Sequence, residues 1–126
     1  MSSMCDMAKV ADLVLVTVDM SIGFEMETFE FLSVLQIHGF PKCIGVSTHM
    51  DFYKDGKQCK KAQKKMKRRF AFEVTKESKL FFISGMQNGY YKHRDIINLA
   101  RFISIVKIRN LEWKVQNPHL MVDRVE

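Results

Sequence analysis

Three uninterrupted apolar runs punctuate the chain: Leu13-Val14-Leu15-Val16-Thr17-Val18, Cys43-Ile44-Gly45-Val46-Ser47 and Leu80-Phe81-Phe82-Ile83. Each is short, rich in β-branched or aromatic residues and free of the alternation that marks a half-solvated strand. Runs of this kind belong to strands covered on both faces of a sheet. The segments between them are long enough for a helix each. From Phe24 to His38 the residues are good helix formers, with apolar side chains at Met26, Phe29, Phe31, Leu32, Val34, Leu35 and Ile37 spread around much of the circumference. Gly39 supplies a helix stop, with Pro41 just beyond. From Lys57 to Glu73, Cys59, Ala62, Met66 and Phe70 recur at spacings of three and four, giving one apolar stripe among lysines. A further helix is expected from Asp95 to Ser104, capped by Asp95, with Ile96, Leu99, Ala100 and Ile103 on its buried face. Strand, helix, strand, helix, strand, helix is the order of a mostly parallel sheet with helices on both faces, a three-layer α/β fold.

Beyond Lys107 the texture changes. Ile108-Arg-Asn-Leu-Glu-Trp-Lys-Val alternates like an exposed strand, and Asn117-Pro118-His119 and Leu120-Met-Val follow. Residues 1–107 therefore read as one unit, and residues 108–126 as the start of a β-rich domain or a C-terminal extension.

At 126 residues, 47% of them hydrophobic, the chain has room for one domain with a core and little for two. No apolar run reaches the roughly 20 residues of a membrane span. The opening Met-Ser-Ser-Met-Cys-Asp-Met-Ala-Lys lacks the apolar centre of a signal peptide, which predicts an intracellular protein. Cys5, Cys43 and Cys59 are odd in number and widely spaced, the pattern of reduced residues and not of a disulfide framework or zinc site.

Charge is divided unevenly. Residues 1–53 carry seven acids and two bases, whereas residues 54–126 carry eighteen bases and seven acids. Eight of those bases, Lys57, Lys60, Lys61, Lys64, Lys65, Lys67, Arg68 and Arg69, fall within thirteen positions that hold no acid. A run of this density suits either a solvated helix face or contact with a polyanion, RNA first.

In parallel α/β sheets ligands sit outside the carboxyl ends of the strands. Those ends are Asp19, the segment Thr48-His49-Met50-Asp51, and Ser84-Gly85. An acid after one strand and a tight Ser-Gly turn after the next can read a guanine base. The carboxylate accepts from the ring N–H and the exocyclic amine, and a backbone N–H donates to the carbonyl. Adenine offers the opposite pattern and would leave the carboxylate unpaired. By spacing alone, an aspartate that caps a helix or satisfies a loop fits as well. His49 as a metal ligand or general base has no second ligand or nucleophile nearby in sequence, so no metal site is assigned.

The segment from Val18-Asp19 through Gly23, Glu27-Thr28, and Ile44-Gly-Val-Ser-Thr-His-Met-Asp resembles the later part of a translation-factor-type GTPase. More closely, Ala8-Lys-Val-Ala-Asp-Leu-Val-Leu, Gly23-Phe-Glu-Met-Glu-Thr-Phe-Glu-Phe-Leu, Thr48-His-Met-Asp, Asn98-Leu-Ala-Arg-Phe-Ile-Ser, Leu111-Glu-Trp-Lys and Asn117-Pro-His-Leu resemble the ribosome-biogenesis GTPases of the eukaryotic small-subunit processome. The likeness is collinear and covers nearly the whole chain. It implies the C-terminal half of a P-loop GTPase-like G domain that binds GTP or GDP. Within it, Asp51 matches the guanine-reading acid, Thr48 the Asn and His49 the Lys of Asn-Lys-x-Asp, while Ser84 and Gly85 match the last base-contacting motif. An imidazole at His49 would stack on the base where the lysine stem usually lies.

The resemblance also implies a role in pre-rRNA processing in the nucleus, in the nucleolus, with ribosomal RNA, guide RNA-protein particles, an RNA-cyclase-like processome protein and other small-subunit assembly factors. The basic residues between Lys57 and Arg69 would then contact RNA or assembly surfaces.

The phosphate-cradling pattern Gly-x-x-x-x-Gly-Lys-Ser/Thr is missing: Gly56-Lys57 is followed by Gln58. Asp19-Met-Ser-Ile-Gly23 has one residue too many for an Asp-x-x-Gly motif. Since phosphoryl transfer depends on positioned phosphates and magnesium, which upstream motifs supply in such GTPases, this chain is not expected to hydrolyse GTP alone. A non-catalytic assembly scaffold that binds RNA or protein through residues 57–69 is the alternative. Other small α/β types fit less well, because neither a phosphoacceptor acid cluster nor a glycine-rich cofactor loop is present. Half a G domain should also leave an open sheet edge and an incompletely covered apolar face.

Overall fold

The computed structural model describes residues 2–76, 78–118, 120 and 122. Its elements, in chain order, are α1 (Ser2–Val10), β1 (Leu13–Asp19), α2 (Met26–Ile37), β2 (Lys42–Thr48), a 3₁₀ turn (Met50–Phe52), α3 (Gly56–Glu73), β3 (Leu80–Phe82), α4 (His93–Ile105) and α5 (Glu112–Gln116). The three strands form one parallel sheet in the order β1-β2-β3. The expected α/β alternation is present.

Register assigns the faces. Val14, Val16 and Val18 lie beside Cys43, Gly45 and Ser47, and Gly45 lies beside Leu80. On this face the core gathers Ala8 of α1, Leu32 and Leu35 of α2, and Phe70 of α3. Gly45 fixes how closely α3 approaches: a Cβ there would fall 2.5 Å from the Leu80 side chain and 2.6 Å from the Phe70 ring. The opposite face carries Phe81, whose ring centroid is 5.3 Å from that of Phe102 on α4. Helices thus cover both faces.

Coverage is unequal. Cys43, Ile44, Val46 and Ser47 of the central strand are all buried, as a strand enclosed on both sides demands. β1 is not enclosed: Val14, Val16 and Val18 are buried, but Leu15 is 45% exposed and Thr17 faces outward. The expectation that Leu13–Val18 is covered on both faces is overturned because β1 lies at the sheet edge, where no further described strand pairs with it. α4 likewise buries no residue fully, and Ile96, Ile97 and Ile105 remain exposed.

Local signals explain most element limits. α2 stops where Gly39 and then Phe40 adopt positive φ, as the C-terminal glycine predicted. α3 starts on Asp55, whose carboxylate accepts from the Lys57 N–H at 3.0 Å. Asp95 does not cap α4. The helix begins earlier, with Lys92 at the cap position and Asp95 in the first turn, where a carboxylate still suits the positive end of the helix dipole.

Two ends of the chain differ from expectation. α1 has no counterpart in the sequence reading. The alternating stretch Ile108–Val115 is not a strand: it contributes α5, with Leu111 buried. The Trp113 indole N–H donates to the His38 carbonyl at 2.9 Å, satisfying one of the orphan acceptors at the end of α2. Lys114 Nζ donates to the Val10 carbonyl and the Asp12 carboxylate, each at 3.1 Å. These contacts tie the segment back to the sheet unit. His119, Met121 and residues 123–126, which belong to the expected C-terminal region, lie outside the described residues. Cys5, Cys43 and Cys59 are free, and burial pushes the Cys43 thiol up to about 11.

Candidate functional site at the strand ends

Parallel pairing carries β1 and β2 to the same end of the sheet, with Asp19 beside Thr48 in register and the Met20 N–H donating to the Thr48 carbonyl at 3.0 Å. At this point β2 has to turn out of the sheet. His49 does so in the left-handed region, at φ 56° and ψ 39°, a conformation that costs a non-glycine residue energy and persists only where neighbours hold it. Two backbone hydrogen bonds hold the turn: Met50 N–H to the Ile83 carbonyl at 3.2 Å, and Phe52 N–H to the His49 carbonyl at 3.1 Å. The first links the turn directly to the residue before Ser84.

This turn directs Asp51 back across the gap to the end of β3. The Gly85 N–H donates to Asp51 Oδ1 at 2.6 Å. Ser84, which precedes it, is 3% exposed. Glycine at 85 is a steric requirement of the contact, since a Cβ there would sit 2.8 Å from both carboxylate oxygens. Positions 51 and 85, chosen from sequence as acceptor and donor, are therefore neighbours in space.

Thr48 and His49 join a second group. His49 Nδ1 lies 3.1 Å from Asp19 Oδ2 and 3.2 Å from Thr48 Oγ1. Asp19 is held in turn by Ser21, whose hydroxyl and backbone N–H donate to Oδ1 at 2.6 and 2.8 Å. Those two hydrogen bonds, assisted by the adjacent imidazole, hold the Asp19 carboxyl below its usual range against the opposing effect of partial burial. Asp19 and Ser21 were not selected as site residues from sequence. The one signal in the sequence is that Asp19 ends an apolar run; its place beside Thr48 depends on the β1–β2 register.

The basic residues all reside on α3 and are exposed, but they do not form one surface. Lys67 Nζ lies 5.6 Å from the Phe82 ring centroid, and Arg69 lies 5.3 Å and 5.4 Å from Phe24 and Phe29. Both lean on the body of the domain. Lys57, Lys60, Lys61, Lys64, Lys65 and Arg68 have no acidic side chain within ion-pairing distance among the described residues. Among those residues there is also no cluster of three or more His, Cys, Asp or Glu side chains able to hold a metal, and no helix long and apolar enough to cross a membrane.

The fold defines a class first: a parallel three-stranded α/β unit that corresponds to part of a Rossmann- or P-loop-like domain, with a polar site at its strand ends. Comparison with known proteins narrows this. The chain is 54% identical over 123 residues to the human "Ribosome biogenesis protein BMS1 homolog", covering 98% of the chain and 10% of that protein. It is 50% identical over 126 residues to the Schizosaccharomyces pombe "Ribosome biogenesis protein bms1", covering 100% of the chain and 11% of that protein. It is 47% identical over 124 residues to the Saccharomyces cerevisiae "Ribosome biogenesis protein BMS1", covering 98% and 10%. No protein-family model matches the chain. The chain is homologous along its whole length to a segment of the BMS1 ribosome biogenesis proteins, and spans about a tenth of the length of the curated relatives it matches.

Proposed function

We propose that the chain forms the base-recognition part of a guanine-nucleotide site in a GTPase of small-ribosomal-subunit assembly and pre-rRNA processing. The observation that supports this reading is the meeting of Asp51 and Gly85: one carboxylate acceptor and one backbone donor, 2.6 Å apart, at the end of a parallel sheet. Guanine presents the complementary pair, N–H donors on one side and a carbonyl on the other. His49, with its ring braced by Asp19, would lie along the base, and Thr48 would brace the ring from the other strand end. Residues 1–107 would act as the later half of a G domain, with residues 108–126 as an extension anchored through Trp113. Phosphate and magnesium binding are not assigned to any described residue, so hydrolysis by this chain alone is not proposed.

Homology to ribosome biogenesis proteins supports a role in ribosome assembly. The nuclear and nucleolar setting, and ribosomal RNA, guide RNA-protein particles, an RNA-cyclase-like protein and other assembly factors as partners, are what the family resemblance implies. α3 would be the surface that meets RNA. Titration of GDP and GTP against the full chain, followed by calorimetry, tests the nucleotide reading. Saturable binding that is lost in Asp51→Ala and absent with adenine nucleotides is the expected result.

One observation favours a second reading, a scaffold with a degenerate nucleotide site. The Asp51 acceptor and the Gly85 donor already satisfy each other, so a base must displace that hydrogen bond before it gains its own. In that case neither GDP nor GTP saturates, while RNA association through α3 persists.

A further inference from the structure

The α3 cations that have no acidic partner among the described residues share their surface with an aromatic ring. Phe72 is 87% exposed, although the neighbouring Phe70 is buried at 1%. An isolated exposed apolar residue is ordinary, but this one continues a charged row. Lys61, Lys65, Arg68 and Phe72 succeed one another at intervals of four, three and four, the spacing of a single helix face, and Lys64 lies beside them. With Lys61, Lys64, Lys65, Arg68 and Arg69, Phe72 lines an open concavity of about 520 Å³. The row from Lys61 to Phe72 is about 16 Å long at the rise of an α-helix, enough to follow a few nucleotides.

Resting on the reading of α3 as an RNA-facing helix, we infer that this row is a platform for single-stranded RNA, with Lys61, Lys64, Lys65 and Arg68 on successive phosphates and one unstacked base on Phe72. The ring decides the strandedness. Cations alone suit any polyanion, but in a duplex the base faces are already stacked and the grooves offer no π-face to an aromatic side chain. A single strand offers both backbone charge and free bases, which is the combination that aromatic platforms in basic grooves select. Lys67 and Arg69 take little part, because each already leans on an aromatic ring of the domain.

Fluorescence anisotropy of the full chain with a labelled ten-nucleotide oligouridylate and a duplex of equal charge is the test. Wild type should prefer the single strand. Phe72→Leu should weaken single-strand binding by about five- to a hundredfold, leaving the salt slope and the duplex affinity unchanged. Replacing Lys61, Lys64, Lys65 and Arg68 with Gln should instead flatten the log–log salt slope by roughly three. Phe72→Trp should retain binding and lose indole emission when the strand is added, a signal separate from that of Trp113. Equal affinity for duplex and single strand, or an unchanged Phe72→Leu, overturns the platform while leaving α3 an RNA surface. Binding of neither RNA overturns both. Tighter binding of a polyglutamate peptide than of RNA overturns both in favour of an acidic protein partner. Phe72 is about 24 Å along α3 from its first turn, so GDP titrations of Phe72→Leu report on the strand-end site independently.

Discussion

The strand ends and α3 are both polar surfaces, and they treat their polar groups in opposite ways. At the strand ends the charged side chains have partners within the fold: Asp51 with Gly85, His49 with Asp19 and Thr48, Asp19 with Ser21. On α3, six cations point into solvent without an acid among the described residues. A ligand at the first surface has to exchange internal hydrogen bonds for its own, so shape and donor pattern decide what binds. A ligand at the second surface meets groups that only counter-ions occupy, so charge decides and salt competes. On the proposed reading, selectivity belongs to the first region, and raw, salt-sensitive affinity to the second.

The largest expected effect breaks the second region. Reversing Lys61, Lys64, Lys65 and Arg68 to Glu should reduce RNA association more than about a hundredfold at low salt, with a shrinking difference as salt rises. Filter binding across a salt series measures this. Equal loss at every salt concentration would mean that the residues act through folding instead. A smaller effect tests the seat of the helix. Gly45→Ala places a Cβ against Phe70 and Leu80 and should cost about 1–3 kcal/mol of stability by overpacking, read from thermal unfolding. An unchanged midpoint would show that α3 is free to shift.

The strand ends are expected to respond more subtly. Gly85→Ala puts a methyl group against the Asp51 carboxylate while keeping the backbone donor. If mutual satisfaction opposes ligand entry, guanine-nucleotide affinity should rise a few-fold; a fall would mean that the close contact is itself part of the bound geometry. The smallest effect concerns acid. Asp19 is held below its usual 3.8, so its contribution to stability is present above that value and is lost as pH falls through the folded one. Asp19→Asn should therefore lower the unfolding midpoint by no more than a few degrees near neutrality and not at all in strong acid. A deficit that persists in strong acid would assign the loss to geometry, not charge.

The same contrast explains what the sequence revealed. β2, α2, α3 and the three strand ends follow from local patterns: apolar runs, a three-four stripe, Gly39 after one helix and Asp55 before another. The density of lysines on α3 is equally local. What escaped depends on long-range placement. Leu13–Val18 has the composition of an enclosed strand, and only its edge position leaves Leu15 exposed. Leu111, Trp113 and Val115 alternate as a strand would, yet the indole finds its acceptor on His38, seventy-five residues earlier in the chain. Asp51 and Ser84-Gly85 could be chosen because each ends a recognisable run. The bracing of His49 by Asp19 could not, since it requires both the β1–β2 register and a left-handed turn. Phe72 lies outside the three-four stripe that ends in Phe70, and nothing in its local sequence marks it as exposed.

The central claim, that the carboxylate of Asp51 reads a guanine base, is tested most directly by exchanging its pattern. Asn keeps one acceptor but replaces the other with a donor, which suits a ring that carries a carbonyl where guanine carries its exocyclic amine. In matched titrations of the full chain, Asp51→Asn should lose guanine-nucleotide binding and gain binding of the xanthine nucleotide. Equal guanine-nucleotide affinities for wild type and Asp51→Asn, or no nucleotide binding by either, would contradict it.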